Sequence, residues 1–409
     1  VKIYTKNVVL LSGEIASLLY KNNIPNINAV TGTNGKTSVA EYSRQIWYCN
    51  KKKAASIGTL GTLFNKKLLS PSTLTTPDSI TLHKTLNKLS TKHCDNIIIE
   101  ASSIGIHQNR LFPLKFNKIA FTNLSRDHLD YHKNMRQYMI AKAKIFINNS
   151  HKKTIAILNS DDKKYSYFEK LCLDQRLKVL DYGKKANFLK ILSISKKNNV
   201  HEIEINLKNR MKKVVMPSNS LFEVYNILCS LLIVFGEKIT AKNFDCIKKL
   251  KSPKGRLEKV YDKKFKIFID YAHTPDAIKN ILTSLNNQKK NRIISIIGCG
   301  GDRDKGKRVL LTKQALLLSD IVILADDNPR NEEPKKIRQE MLYNLSKKQK
   351  ERIINIGDRK QAIKYGISIL QKRDILVIAG KGHEDYQLIR GEKKYFSDHE
   401  TVNSIISQI

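Results

Sequence analysis

Gly32-Thr33-Asn34-Gly35-Lys36-Thr37 is the densest concentration of chemistry in this chain. It follows the apolar Asn28-Ala29-Val30 and precedes a helical pattern that begins at about Lys36. A strand, a glycine turn and Lys-Thr opening a helix make a phosphate cradle, because backbone N–H groups and the helix N-terminus hold an anion. Lys36 would reach the outer phosphates of a nucleotide such as ATP, and the Thr37 hydroxyl would ligate Mg²⁺. Val30 stands where the longer form of such loops has its first glycine, so the loop alone is also readable as an ordinary strand–helix turn.

Two further stretches are rich in ligand types. Asn96-Ile97-Ile98-Ile99-Glu100 is a short apolar strand ending in a carboxylate. Ligands of open α/β sheets gather at the carboxyl ends of strands, and a carboxylate there can hold Mg²⁺. The plainer reading of Glu100 is a surface cap. Asn123-Leu124-Ser125-Arg126-Asp127-His128-Leu129-Asp130-Tyr131-His132 reads as a polar ligand loop, a capped loop or a zinc site. Two histidines with no cysteine nearby make zinc the weaker choice.

The elements that must position these residues alternate between apolar runs and helical patterns, the mark of a parallel α/β sheet. Lys118–Phe121 and Thr154–Leu158 are expected strands. Ile203, Ile205 and Leu207 alternate with His201, Glu202, Glu204 and Asn206, which predicts a half-exposed strand in a β insertion. Leu221–Phe235 reads as a helix. A second α/β series has strands at Ile267–Tyr271, Ile293–Gly298, Ile321–Leu324, Arg352–Ile356 and Ile375–Ala379. Pro253 and Gly255 punctuate the basic stretch between the two series and mark the boundary.

Composition narrows the class. The chain has 409 residues, 41% of them hydrophobic, with a net charge of +37. No apolar run reaches the roughly 18 residues of a membrane-spanning helix, and Val8–Leu11 is too short for a signal-peptide core behind the basic Val1–Lys6. The six cysteines form no CxxC pair and read as reduced thiols. Lysine is spread over the whole length with abundant Ile and Asn, as an AT-rich genome produces. No aromatic-interleaved basic signature accompanies it, so no specific nucleic-acid partner and no membrane partner is expected.

Taken together, Gly32–Thr37, Asn123–His132 and Tyr138-Met139-Ile140-Ala141-Lys142 resemble, in order and spacing, the motifs of the Mur ligases, cytoplasmic enzymes that add amino acids to the peptidoglycan precursor. The resemblance runs from about Asn28 to the C-terminus. It implies a central domain over residues 28–252, phosphate-loop ATPase-like with a mostly parallel sheet, and a Rossmann-like α/β domain over 253–409 that binds the amino acid. Residues 1–27 would be a remnant of, or linker from, an N-terminal UDP-binding domain, with 12–22 as its last helix. Only 31 residues precede Gly32. The uridine pocket is therefore expected to be largely absent, through truncation or loss.

The resemblance also implies roles. Gly32, Thr33, Asn34, Gly35, Lys36 and Thr37 would bind ATP. Thr37, Glu100, His128 and Lys142 would hold two Mg²⁺ ions, with Lys142 carbamylated so that a cation becomes an anionic ligand. Read from the residues alone, Lys142 is one of many lysines on helices. Lys36, Glu100, His128 and Lys142 would form the catalytic set. Ser220–Asn226 resembles the family's adenine-binding helix start, with Ser220 and Glu223 replacing Gly and Asn, and Asn226 retained. Gly255-Arg256-Leu257-Glu258 resembles the family's hinge, with Arg256 on the ATP phosphates, and Asp270 and His273 would approach the nucleotide when the C-terminal domain closes.

Thr75, Thr76, Ser102, Gln108 and Arg110 match positions holding UDP-muramoyl-dipeptide, although Ile104 stands where the family usually has His. Asp327-Asn328-Pro329-Arg330, which also reads as a β-turn, is similar to the motif of the diaminopimelate-adding branch. A guanidinium fork there suits the distal carboxylate of meso-diaminopimelate. Arg303, Asp327, Asn328, Arg330, Gly380 and Glu384 would bind that amino acid. A monomeric ATP-dependent ligase is the expectation. The alternatives are another Mur or folylpolyglutamate-type ligase, or a truncated, inactive nucleotide-binding homologue.

Overall fold

Apolar β-branched runs too short for helices build the sheets. A computed structural model describes residues 5, 7–72, 74–197, 200–216, 218 and 220–408. Most of the basic N-terminal stretch Val1–Lys6, and so the start of the expected remnant over residues 1–27, lies outside the described residues. The chain folds as two units: Val1–Leu124 with Asn134–Lys251, and Ser125–Lys133 with Ser252–Ile409.

In the first unit, eleven strands among the described residues share one sheet. They are β1 (Asn26–Thr31), β2 (Ala54–Gly58), β3 (Gly61–Phe64), β4 (Lys67–Ser70), β5 (Asn96–Glu100), β6 (Lys118–Phe121), β7 (Ile155–Asn159), β8 (Lys178–Gly183), β9 (Leu189–Lys197), β10 (Val200–Leu207) and β11 (Arg210–Met216). Their order across the sheet is β11-β10-β9-β8-β7-β6-β1-β5-β2-β3-β4. The parallel middle is covered on both faces, which is why its strands are apolar throughout rather than alternating. Ala29, Ile97, Ile99 and Ile119 enter one core, and Val30, Ile98 and Ala120 enter the other. After β5 the chain crosses to the other side of β1, so the carboxyl ends of β1, β5 and β6 flank a topological switch point.

The β insertion is the antiparallel meander β9–β11. His201 shares the buried face with Ile203, Ile205 and Leu207, since all four have the same parity. It is bonded there to Ser218 through Nδ1. The helix expected over 12–22 runs Val8–Leu19 instead, because the Asn7 side chain caps it by accepting from Leu10 N. It packs on the helix Ser79–Ser90. The hairpin strands β3 and β4 have no counterpart in the sequence reading; at four residues each they are too short to show a period.

The second unit has a six-stranded sheet among the described residues: β12 (Glu258–Asp262), β13 (Lys266–Asp270), β14 (Ile293–Ile297), β15 (Ile321–Leu324), β16 (Ile353–Asn355) and β17 (Ile375–Ala379), ordered β12-β13-β17-β14-β15-β16. All neighbours except β12 are parallel. A separate hairpin, β18 (Tyr386–Ile389) with β19 (Glu392–Tyr395), bridges to Arg330 through Ile389. No helix among the described residues is long and apolar enough to cross a membrane.

Candidate active site

The loop after β1 needs its glycines. Gly32 (φ +149°) and Gly35 (φ +90°) occupy backbone conformations that L side chains rarely adopt. A Cβ on Gly32 would lie 1.9 Å from Thr122 Oγ1, and one on Gly35 2.4 Å from Asn226 Oδ1. Asn226, on the helix Leu221–Phe235, thus presses against the turn that opens the helix Lys36–Cys49. Asn123 clamps the loop from β6: its carbonyl accepts from Thr33 N at 2.9 Å and its Oδ1 from Asn34 N at 2.9 Å. Its Nδ2 donates to Asn34 O at 3.0 Å. Lys36 Nζ curls over the loop and donates to Gly32 O and Thr33 O, both at 2.8 Å.

Glu100 arrives by register. Val30 pairs with Glu100 across β1 and β5, so the carboxylate emerges beside the start of the loop. Thr37 Oγ1 donates to Glu100 Oε2 at 2.9 Å, and Thr59 N donates to Oε1 at 2.8 Å. Gly58 makes room: a Cβ there would sit 2.1 Å from Glu100 Oε1. Lys142 is 1% exposed on the helix Met135–Asn148. Its Nζ donates to Gly32 O at 2.8 Å and lies 4.5 Å from the Tyr138 ring centre, while Tyr138 OH meets Thr33 Oγ1 at 3.1 Å. Glu223, standing where the family pattern has Asn, is buried and accepts from Tyr42 OH at 2.9 Å.

Thr76 ties the neighbouring polar residues to the same strand end. Its Oγ1 donates to Glu100 O at 2.7 Å, accepts from Ser102 N at 2.9 Å and meets Ser102 Oγ at 2.9 Å. Arg110 bonds Thr76 O at 2.8 Å and holds Gln108 Oε1 through Nε and Nη2. Thr75 Oγ1 meets Thr59 Oγ1 at 3.2 Å. A cavity of about 590 Å³ opens beside Gln108 and Arg110, lined also by Leu74 and Asp78. Ile104 lies in the short helix that Ser102 caps.

The remaining predicted residues belong to the second unit. His128, on Ser125–Lys133, lies with Nε2 3.3 Å from Asp127 Oδ2. Lys307 Nζ is 3.1 Å and His273 Nε2 3.6 Å from the same carboxylate. Burial alone would raise the Asp127 carboxyl; the charges of Lys307, His128 and His273 outweigh it and hold the group well below the usual range. Asp270, ending β13, accepts from Leu257 N at 2.5 Å and Ala272 N at 2.6 Å. Arg256 lies over the Tyr271 ring at 4.5 Å.

The Asp327–Arg330 segment is built from backbone and buried polar contacts. Arg330 has φ +53° and donates through Nη1 to Gly301 O at 2.9 Å. Asn328 Nδ2 donates to Glu384 Oε2 at 3.0 Å, and the fully buried Lys381 donates to that oxygen at 3.0 Å and to Asn328 Oδ1 at 3.3 Å. A Cβ on Gly380 (φ +116°) would lie 2.5 Å from Asp327 Oδ2. Burial, and next the charge of Arg303, push the Arg330 guanidinium below its ordinary value. Arg303 is exposed and Arg330 half-buried; Arg330 Nη1 and Arg303 Cγ lie 2.6 and 3.8 Å from where a Cβ on Gly300 would stand, so both cations flank that glycine.

The sequence reading did not single out Thr59, Lys307 or Lys381. Thr59 and Lys307 act through partners distant in the chain, Glu100 and Asp127, and Lys381 through both the nearby Glu384 and the distant Asn328. Among the described residues, no group of three or more His, Cys, Asp and Glu is arranged to hold a metal ion.

A glycine-loop unit with a mostly parallel sheet followed by a second parallel α/β unit defines a class, and the comparisons agree with it. The Mur ligase middle domain profile matches residues 30–234, and the Mur ligase glutamate ligase domain profile matches 255–382. The chain belongs to the Mur ligase family. Among its relatives are UDP-N-acetylmuramoyl-L-alanyl-D-glutamate–2,6-diaminopimelate ligases: that of Rickettsia bellii is 40% identical over 98% of this chain and 85% of its own length. A solved structure of a ligase of that name is 31% identical, with a TM-score of 0.66, over 98% of this chain and 82% of its own. The Mycobacterium tuberculosis folylpolyglutamate synthase solved with ADP shares the fold, at a TM-score of 0.75 and 15% identity over 92% of this chain and 93% of its own.

Proposed function

We propose that the chain is an ATP-dependent amide-bond ligase that joins meso-diaminopimelate to UDP-N-acetylmuramoyl-L-alanyl-D-glutamate in the cytoplasm, a step in making the peptidoglycan precursor. The observation that carries the amino-acid assignment is that Arg303 and Arg330 flank Gly300, with the buried Asp327 and Asn328 and the half-buried Glu384 in the same segment cluster. A basic pair next to acidic and amide oxygens suits an amino acid with an ammonium at one end and a second carboxylate at the other.

The glycine cradle, Lys36 and the helix N-terminus fit the phosphates of ATP. The Thr37 hydroxyl on the Glu100 carboxylate offers hard oxygen donors of the kind Mg²⁺ takes. A carbamate on Lys142 and the nucleotide's own oxygens would complete the set. Bound Mg²⁺ would neutralise phosphate charge. Thr75, Thr76, Ser102, Gln108 and Arg110 would orient the precursor, with its D-Glu carboxylate towards the phosphate loop. Transfer of the γ-phosphoryl group to that carboxylate makes an acyl phosphate, and the diaminopimelate amine displaces phosphate from it. Lys36 and the loop amides stabilise the negative charge of the transfer by preorganised electrostatics.

The direct test is product analysis. ADP release should require both the UDP-precursor and diaminopimelate, and mass spectrometry should find the precursor heavier by one diaminopimelate less water. ADP release without a joined product would overturn the ligase reading.

Lys142→Ala should lose nearly all ligase activity while remaining folded. Excess bicarbonate should not restore it, whereas a small carboxylic acid should restore part by supplying the missing oxygens. A fully active Lys142→Ala enzyme would end the carbamate reading.

A further inference from the structure

Arg303 and Arg330 come from different loops, one after β14 and one after β15. Both side chains flank Gly300, with Arg330 Nη1 2.6 Å and Arg303 Cγ 3.8 Å from where its Cβ would stand, and like charges repel, so their separation depends on whatever ties the loops together. Glu332 is the tie. One of its carboxylate oxygens accepts from Asp302 N, next to Arg303, at 2.6 Å. The same oxygen accepts from Arg308 Nη2 at 2.8 Å, and the other from Arg308 Nη1 at 3.0 Å. Arg308 is 1% exposed at the start of the helix Arg308–Leu318, and Glu340 also accepts from it at 2.7 Å.

Smaller contacts follow the same line. Asn331 donates through N and Nδ2 to Asp302 Oδ2 at 3.2 and 2.9 Å, and Gly301 N donates to Asn328 O at 3.0 Å. The hydrogen bond from Arg308 is the largest influence on Glu332 and holds its carboxyl at about 2, so the clamp is ionised throughout the working range. Neither Glu332 nor Arg308 is needed to touch a substrate.

We propose that Glu332, gripped by Arg308, is a positioning residue: it sets the spacing of Arg303 and Arg330, and through it the affinity for an amino acid carrying a distal carboxylate. The inference rests on reading those two arginines as the carboxylate ligands.

The test is steady-state kinetics with the amino acid varied at saturating ATP and precursor. Glu332→Gln keeps an oxygen for Asp302 N but loses the ion pair; Glu332→Ala loses both. The amino-acid KM should rise about tenfold for Gln and approach a hundredfold for Ala, as displacement of a positioned group by ~1 Å does, while kcat and the KM values for ATP and precursor stay within about twofold. Arg308→Lys keeps the charge but loses the two-pronged contact, and should show a smaller rise confined to the same KM. It serves if Glu332→Ala does not fold. The proposal is overturned if folded variants keep the parental amino-acid KM, or if kcat and all three KM values worsen together. Failure of the underlying reading looks different: the parent itself would use L-lysine as well as diaminopimelate.

Discussion

Lys36→Ala is expected to reduce ATP turnover by about 10²–10³-fold or more, comparable with or beyond the loss of one preorganised donor at a site of developing charge. In the structure the Lys36 ammonium already lies within the loop, 2.8 Å from both Gly32 O and Thr33 O. A phosphate bound by the loop amides would therefore meet the ammonium with little reorganisation. Alanine removes that charge and leaves the helix start intact, since Gly35 supplies the turn and alanine is a strong helix former. The variant should thus unfold at nearly the parental temperature while ADP release collapses. Parental turnover in a folded variant would remove the phosphate-loop role.

Arg330→Ala should erase most of the preference for meso-diaminopimelate over L-lysine. The two amino acids differ by one carboxylate at the far end. Against Arg330 and Arg303 that group gains charge-assisted hydrogen bonds; lysine would leave both guanidinium groups without an anion. Arg330 is half-buried and Arg303 exposed, so loss of the charge-assisted hydrogen bonds costs ~1.5–3 kcal/mol, or roughly ten- to a hundred-and-fifty-fold in selectivity. Arg330 has φ +53°, which alanine tolerates poorly, so some stability is lost as well. Arg330→Lys separates the effects, because it keeps a positive charge at the same backbone position but not the planar fork. The measurement is the ratio of kcat/KM for the two amino acids, alongside binding of a nucleotide analogue, which should not change. Equal use of lysine by the parent would remove the diaminopimelate assignment while leaving the family intact.

Much of the frame was legible because it is local. Strands β5, β6 and β15 and the helix Leu221–Phe235 lie where their apolar runs place them. The glycine loop announces itself because its demands, two positive-φ residues and a Lys-Thr helix start, are met within six adjacent residues. The Asp327–Arg330 segment stands out because its Pro and charged residues are contiguous, but it is not the β-turn it also resembled: Arg330 N donates to Leu388 O at 2.8 Å and the residue bridges to Ile389. The short hairpins β3–β4 and β18–β19 were not legible, since four-residue strands have no period long enough to stand out.

What the sequence determined by itself, then, is local: the positive-φ glycine loop, the carboxylate ending β5, and the arginine after Asn328-Pro329. Which groups meet was decided only by the tertiary structure. Glu100 faces Thr37 because β1 and β5 pair with Val30 opposite Glu100. Gly58 and Thr59 join them only because β2 lies on the far side of β5. His128 shares Asp127 with Lys307 and His273, residues far along the chain, and Glu332 spans two loops through Arg308. Such pairings depend on strand order and register, and a one-residue slip in either would turn the side chain to the opposite face. Neighbouring residues carry no record of that choice, because it is made by the packing of whole elements against the sheet.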